Sequence, residues 1–363
     1  MTMQKALYIV PIDYKDIGGL RYPIENYITA LSSRYELTIL EIGYRYSVEN
    51  KKWIKRVIEA ERYDLLLVYG INQCNNCIGY LENTERWKQV KKFAHLQDCE
   101  FFYAKSIYEK IGWDKPQKKF LYYLKMKIYK YRERKCLDAY NQVLYVSRVD
   151  AEYVKNIYKN IKARIHVVEN GIDIPDKNKI LAVNKGKNDT LRLGFLSHMS
   201  QSIIDENVKP ILQDILPEMQ RRKIRIELII AGKGMEDELR AICAPYRNVL
   251  YKGFIQELAD FYNSVDIILS YTKKRNGILN KVLEAWAYEK CVIGYDYNFK
   301  AFSKAIDGEH YLSGENSYEI VNQIVELHNK PERIVQIGYN ARALIEKEYT
   351  WNNKRRSYLE LFD

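Results

Sequence analysis

The chain has 363 residues, 47% of them hydrophobic and 29% charged, a globular composition that suits two domains of roughly 150–200 residues with a cleft between them. No stretch approaches the ~20 apolar residues of a bilayer span. The six cysteines are scattered, and the one close pair, Cys74 and Cys77, lacks the second pair a zinc site needs, so a reduced, cytoplasmic protein is expected and the spacing reads as chance. The formal charge of +11 and pI near 9.0 call for an acidic partner, and composition alone leaves nucleic acid, anionic lipid and phosphorylated small molecules open.

The N-terminal apolar run is too short for a signal peptide and reads as a first strand, Ala6–Val10. A helix over Leu20–Ser32 follows, then strands at Leu37–Ile42, Asp64–Tyr69 and Lys91–His95, with helical patterns between them. Strands alternating with helices predict an α/β, doubly wound, mostly parallel sheet, whose ligands bind beyond the carboxyl ends of the strands. Two loops fall there. Gly18 and Gly19 either let backbone N–H groups approach a ligand at a helix start or make an ordinary turn. His95, with Asp98 close behind, is placed to move a proton or bond a ligand hydroxyl, unless it is a packing residue.

Further helices over Gln117–Ala139 and Arg148–Tyr158 and strands at Gln142–Ser147 and in "RIHVVENG" complete a first domain, 1–172. The polar stretch 173–190 reads as a linker. A second βα series runs through "LRLGFL", "IRIELIIAG", "NVLYKGF", "VDIILSY" and "CVIGYD", and defines a second domain, 191–348, with helical patterns from Tyr318 to Leu361. Two loops of this half suit an anion. Gly232, Lys233 and Gly234 form a glycine-bounded turn with a cation, which equally suits a sharp βα turn. Arg275, Asn276 and Gly277 precede a helix expected from Ile278, so that free N–H groups would face a diphosphate, with Lys281 adding charge and Glu284 placed to accept from a ribose diol.

The segment "NGILNKVLEAWAYEKCVIGYD" resembles the nucleotide-sugar site of GT-B glycosyltransferases of the family-four (group 1) type. Glu284 in "KVLEAWA" matches the second acid of that motif and Lys281 its lysine. The likeness continues in order through "GG", "VSRVDAEYV", "VENGID", "GFL", "IIAGKG", "YKGFIQELADFYNSVDIIL" and "DGEHYL". It implies two Rossmann-like domains facing across a cleft, with 349–363 a helix returning to the first domain. It also implies transfer of a sugar from a nucleotide-diphosphate donor to an acceptor hydroxyl without a metal or other cofactor. His95 would orient the sugar in a retaining reaction, or Asp98 would be the base of an inverting one. Three departures stand out: Asn276 replaces the first acid, Lys290-Cys291-Val292-Ile293 replaces "G-P-V-V", and "SHMSQS" after "GFL" lacks the usual cations, for which Arg275, Lys273 or Lys281 could substitute.

Residues 115–135 carry nine Lys or Arg and one Glu, interleaved with Tyr, Phe, Leu and Ile. This suits a helix lying on an anionic membrane, hence a peripheral location on the inner face of the cell membrane and a lipid-linked saccharide acceptor for surface polysaccharide. The alternative is a helix whose apolar side, with Phe120, Leu124 and Ile128, packs on the sheet. A GT-B binding subunit that has lost catalysis is the rival to an enzyme. Nucleic acid is not expected, because no motif for it accompanies the charge.

Overall fold

The computed structural model describes residues 3–16, 18–180 and 190–363. Packing divides the chain into two units: Met1–Asn170 with Arg275–Ile278 and Trp351–Asp363, and Gly171–Lys274 with Leu279–Thr350. Of the expected linker, 181–189 lies outside the described residues.

The first unit is built on a parallel sheet of β1 (Lys5–Pro11), β2 (Glu36–Ile42), β3 (Leu65–Tyr69), β4 (Lys91–Gln97), β5 (Gln142–Tyr145) and β6 (Arg164–Val167), in the order β2-β1-β3-β4-β5-β6. The central strands "KALYIVP" and "LLLVY" are apolar almost throughout because both faces are covered, whereas the edge strands carry Glu36, Thr38 and Arg164. One face (Ala6, Tyr8, Leu67, Tyr69, Phe93) packs under the helix Gly18–Ser32 and the C-terminal helix Trp351–Leu359, through Tyr27 and Tyr358. The other face (Leu7, Ile9, Val68) packs on the helices Val48–Ala60 and Ile71–Leu81 and on Cys136 and Leu137.

The second unit has a parallel sheet of β7 (Leu191–Leu196), β8 (Ile226–Ala231), β9 (Val249–Tyr251), β10 (Ile267–Ser270), β11 (Cys291–Tyr295) and β12 (Leu312–Gly314), ordered β12-β11-β10-β7-β8-β9. Strand order reverses between β7 and β10. A doubly wound sheet opens its ligand crevice at the carboxyl ends of such a pair.

Several boundaries differ from expectation. The final helical stretch is three helices, Ser317–Asn329, Pro331–Leu344 and Trp351–Leu359, because Pro331 cannot continue a helix and Thr350 is extended. β4 runs on to Gln97, past His95. The basic helix spans Pro116–Ala139, and its apolar side does not pack on the sheet: Phe120, Leu124 and Ile128 are 63%, 41% and 49% exposed. Its inward side is Met126, Tyr129, Glu133, Cys136 and Leu137 instead. No described helix is long and apolar enough to cross a membrane.

Candidate functional site

In the second unit the glycine turn after β8 is a close-approach device. Gly232 and Gly234 have φ of +142° and +104°, and a Cβ on either would overlap the carbonyl oxygen of Ser197 or Met199. The strand-end loops are thereby laced together, with Ser197 N–H donating to the Ala231 carbonyl and Met199 N–H to that of Lys233 (3.1 and 2.8 Å). Lys233 itself is exposed. The turn is thus the sharp βα type, and it lies beside the end of β7 where the crevice opens.

The helix expected from Ile278 begins instead at Asn280 and runs to Ala287. Its first turn carries Lys281, whose ammonium lies 5.1 Å from the Phe195 ring centre near the end of β7. Burial, and next the charge of Lys274, lower the Lys281 pKa to about 8. One turn on, burial pushes the Glu284 carboxyl up to about 7, against the opposing effects of the Tyr262 hydroxyl and Lys281. The Tyr262 hydroxyl donates to Glu284 Oε2 at 3.3 Å, and the Tyr262 ring stacks on Tyr288 at 4.7 Å. A carboxylate and an ammonium, both partly desolvated, therefore share one helix flank at the switch point. Lys274 and Tyr262 were not legible as site residues. Lys274 only follows β10 by four residues, and Tyr262 reads as core.

The first unit holds the rest of the segment. Gly277 (φ +70°) has its N–H engaged rather than free as expected: it donates to Asp150 Oδ2 at 2.6 Å. Asp150 is fully buried, and its Oδ1 accepts from the Cys99 N–H at 3.1 Å. A Cβ on Gly277 would run into the Asp98 carboxylate. Asp98, Asp150 and Gly277 are therefore adjacent, and Asn276 beside them is buried with its Oδ1 unpartnered. Arg275 is exposed. Asp150 was missed because "SRVD" reads as a helix-capping pattern. It is one, since Ser147 Oγ accepts from the Asp150 N–H, and the carboxylate does a second job.

His95 is 1% exposed between the rings of Tyr27 and Tyr69 (4.6 and 4.5 Å between centres), with neither nitrogen hydrogen-bonded. Burial lowers its pKa to about 3, so the imidazole is neutral near pH 7 and is no proton donor there. Of the roles expected for His95, its burial among these rings suits a neutral hydrogen-bonding or packing group. Gly18 and Gly19 form the first turn of the helix Gly18–Ser32 rather than a loop before it. Among the described residues no three His, Cys, Asp or Glu side chains gather as a metal site needs.

Residues 190–330 match the family of glycosyl transferases group 1. No curated protein sequence matches the chain. Sucrose-phosphate synthase from Thermosynechococcus elongatus superposes with a TM-score of 0.74 at 10% identity, over 99% of this chain and 98% of that one. HepE from Anabaena, solved in complex with UDP, gives 0.72 at 13% identity, over 99% of both chains. TarM of S. aureus gives 0.64 at 14% identity over 86% of this chain, which spans only 57% of the length of TarM. Such identities establish the GT-B fold for the chain, and the family match places a glycosyl transferases group 1 domain over residues 190–330. The group 1 domain is the part of the chain that contains Gly232, Lys274, Lys281 and Glu284.

Proposed function

We propose that the protein moves a sugar from a nucleotide-diphosphate donor to an acceptor hydroxyl, with retention of configuration. The observation that carries this reading is the pairing of Glu284 and Lys281 at the β7/β10 switch point of a group 1 domain. Glu284 accepts from the ribose diol, and Lys281 with Lys274 supplies the positive charge that "SHMSQS" lacks. HepE has been solved with UDP and with UDP-glucose, which makes uridine the base to test first. The acceptor oxygen bonds to the anomeric carbon, the bond from that carbon to the diphosphate oxygen breaks, and the acceptor proton passes to the leaving phosphate. His95, neutral, orients the sugar through a ring nitrogen, and Asn276 offers an amide where the family has an acid. No metal enters this scheme, so a chelator leaves turnover unchanged.

The acceptor in this reading is a lipid-linked saccharide of surface polysaccharide, reached from the membrane surface. Phe120, Leu121, Leu124, Ile128 and Tyr131, at i, i+1, i+4, i+8 and i+11, present an exposed apolar arc flanked by Lys118, Lys125 and Lys127.

The test is a panel of nucleotide sugars read by melting temperature and then by turnover, since a ligand of the native state raises its stability. A shift with a uridine donor and transfer with a retained anomer are expected; no shift with any donor refutes the reading. The binding-subunit alternative is favoured by Asn276 and by the engagement of the Gly277 N–H with Asp150. It predicts binding without turnover on any acceptor.

A further inference from the structure

A recess of about 410 Å³ opens in the first unit where the chain leaves β2 and β3. Tyr44, Arg45 and Tyr46 line it from the loop after β2. Asn72, Asn75 and Asn76 line it from the helix Ile71–Leu81, at i, i+3 and i+4 and thus on one flank. Arg132 closes it from the helix Pro116–Ala139. These loops flank β1, where the strand order turns back on itself, the place a doubly wound sheet receives ligands.

The lining holds two guanidinium groups and no carboxylate. Arg132 Nη1 donates to Asn72 Oδ1 at 2.8 Å, which aims the rest of its fork, and no carboxylate lies within salt-bridge distance of it among the described residues. Arg45 is exposed and has no ion pair among the described residues. The asparagines are held by the backbone: Asn75 Nδ2 donates to the Ile71 carbonyl at 2.9 Å, and Asn76 Nδ2 to that of Tyr44 at 3.2 Å. The Tyr46 ring lies 4.6 Å from Tyr80. Burial first, and then Asp13 outside the lining, raise the pKa of the Tyr44 hydroxyl to about 12. Two unneutralised guanidinium forks, amide groups and aromatic rings suit a ligand that carries both an oxyanion and hydroxyl groups.

We propose that this recess is an acceptor subsite for an anionic saccharide, a sugar bearing a carboxylate or a phosphate, with Arg45 and Arg132 on the oxyanion and Asn72 on a hydroxyl. The identification of the ligand as an acceptor rests on the glycosyltransferase reading; the anion site itself rests on the recess.

The test titrates the full-length protein with glucuronate, glucose 1-phosphate and methyl glucoside by ligand-observed NMR, with UDP as a separate ligand. At least one anionic sugar binds, methyl glucoside does not, and affinity falls with added salt. Glucuronate alone marks a carboxylate acceptor, and glucose 1-phosphate alone a phosphorylated one. Arg45→Gln, at an exposed position with no internal ion pair, weakens the anionic sugar at least tenfold and leaves UDP binding unchanged. Equal binding of methyl glucoside, or undiminished binding by Arg45→Gln, overturns the proposal. So does loss of the sugar on Lys281→Gln alone, which would put the anion in the second unit. If the anionic sugar binds through Arg45 while UDP does not bind, the recess stands and the donor reading fails.

Discussion

In the proposed scheme Glu284 and Lys281 set the pH behaviour of the nucleotide site. The Glu284 carboxylate, proposed to accept from a ribose, forms as pH rises through about 7, and the Lys281 ammonium, proposed to face a diphosphate, is lost as pH rises through about 8. Nucleotide affinity, measured by calorimetry, is therefore expected to peak between these values and to fall on both sides. Glu284→Ala should weaken binding by about 1.5–3 kcal/mol, roughly 10–150-fold, the worth of hydrogen bonds to a charged group; unchanged affinity would remove the residue from the site. Stability responds with the opposite sign. A carboxyl raised in the folded state makes that state bind more protons than the unfolded chain between pH 4.5 and about 7, so its contribution to stability falls as pH rises across that window. Glu133, also pushed up to about 7 by burial, acts alike. Its carboxylate accepts from the Phe101 N–H at 3.1 Å and the Tyr158 hydroxyl at 2.9 Å. Glu133→Leu orphans the buried N–H and should cost about 1–3 kcal/mol in denaturant unfolding. His95→Phe separates packing from function: the aromatic cage keeps the fold, and turnover drops at least tenfold if a ring nitrogen holds the sugar. No limb near pH 6.5 is expected from His95 in the wild-type rate profile, since the ring is neutral above about pH 3.

The basic helix and the 275–278 loop show how far an element follows from its local pattern. The helix Pro116–Ala139 was legible in extent, yet its sequence is apolar and basic on more than one side, so periodicity could not say which side the sheet would take. Packing chose Met126, Tyr129 and Cys136 and left Phe120, Leu124 and Ile128 in water. Substituting the last three with Asp should leave the melting temperature within a degree or two, because little burial is lost, while removing salt-sensitive sedimentation with anionic liposomes. Retention of that sedimentation would sink the membrane proposal. In the loop, the glycine was visible but its purpose was not. A turn glycine before a helix suggests free N–H groups, and here the N–H is spent on Asp150, which lies 127 residues earlier in the chain. Gly277→Ala is strained twice, by φ +70° and by contact with the Asp98 carboxylate. It should lower turnover more than nucleotide affinity.

At the scale of the molecule, the C-terminal residues belong to the first unit although the second precedes them in sequence. Tyr358 is fully buried there, Phe362 nearly so, and Lys354 pairs with Glu169 at 3.0 Å. A chain ending at Thr350 exposes the face carrying Tyr8, Tyr27 and Tyr69 and should lose several kcal/mol, as large buried side chains do when removed. Faster proteolysis within the first unit would report it, and unchanged resistance would contradict the assignment. The sequence by itself determined the two parallel α/β series, nearly every strand, and the group 1 likeness, because alternating βα patterning and strand-end motifs are local properties of the chain. Tertiary structure alone decided that Asp150 holds Gly277, that Lys274 stands near Lys281, that His95 sits neutral among tyrosines, and which side of the basic helix meets water. Each of these depends on what distant segments bring to the same place, and on burial, which sets the charge of a group only once its neighbours are in position.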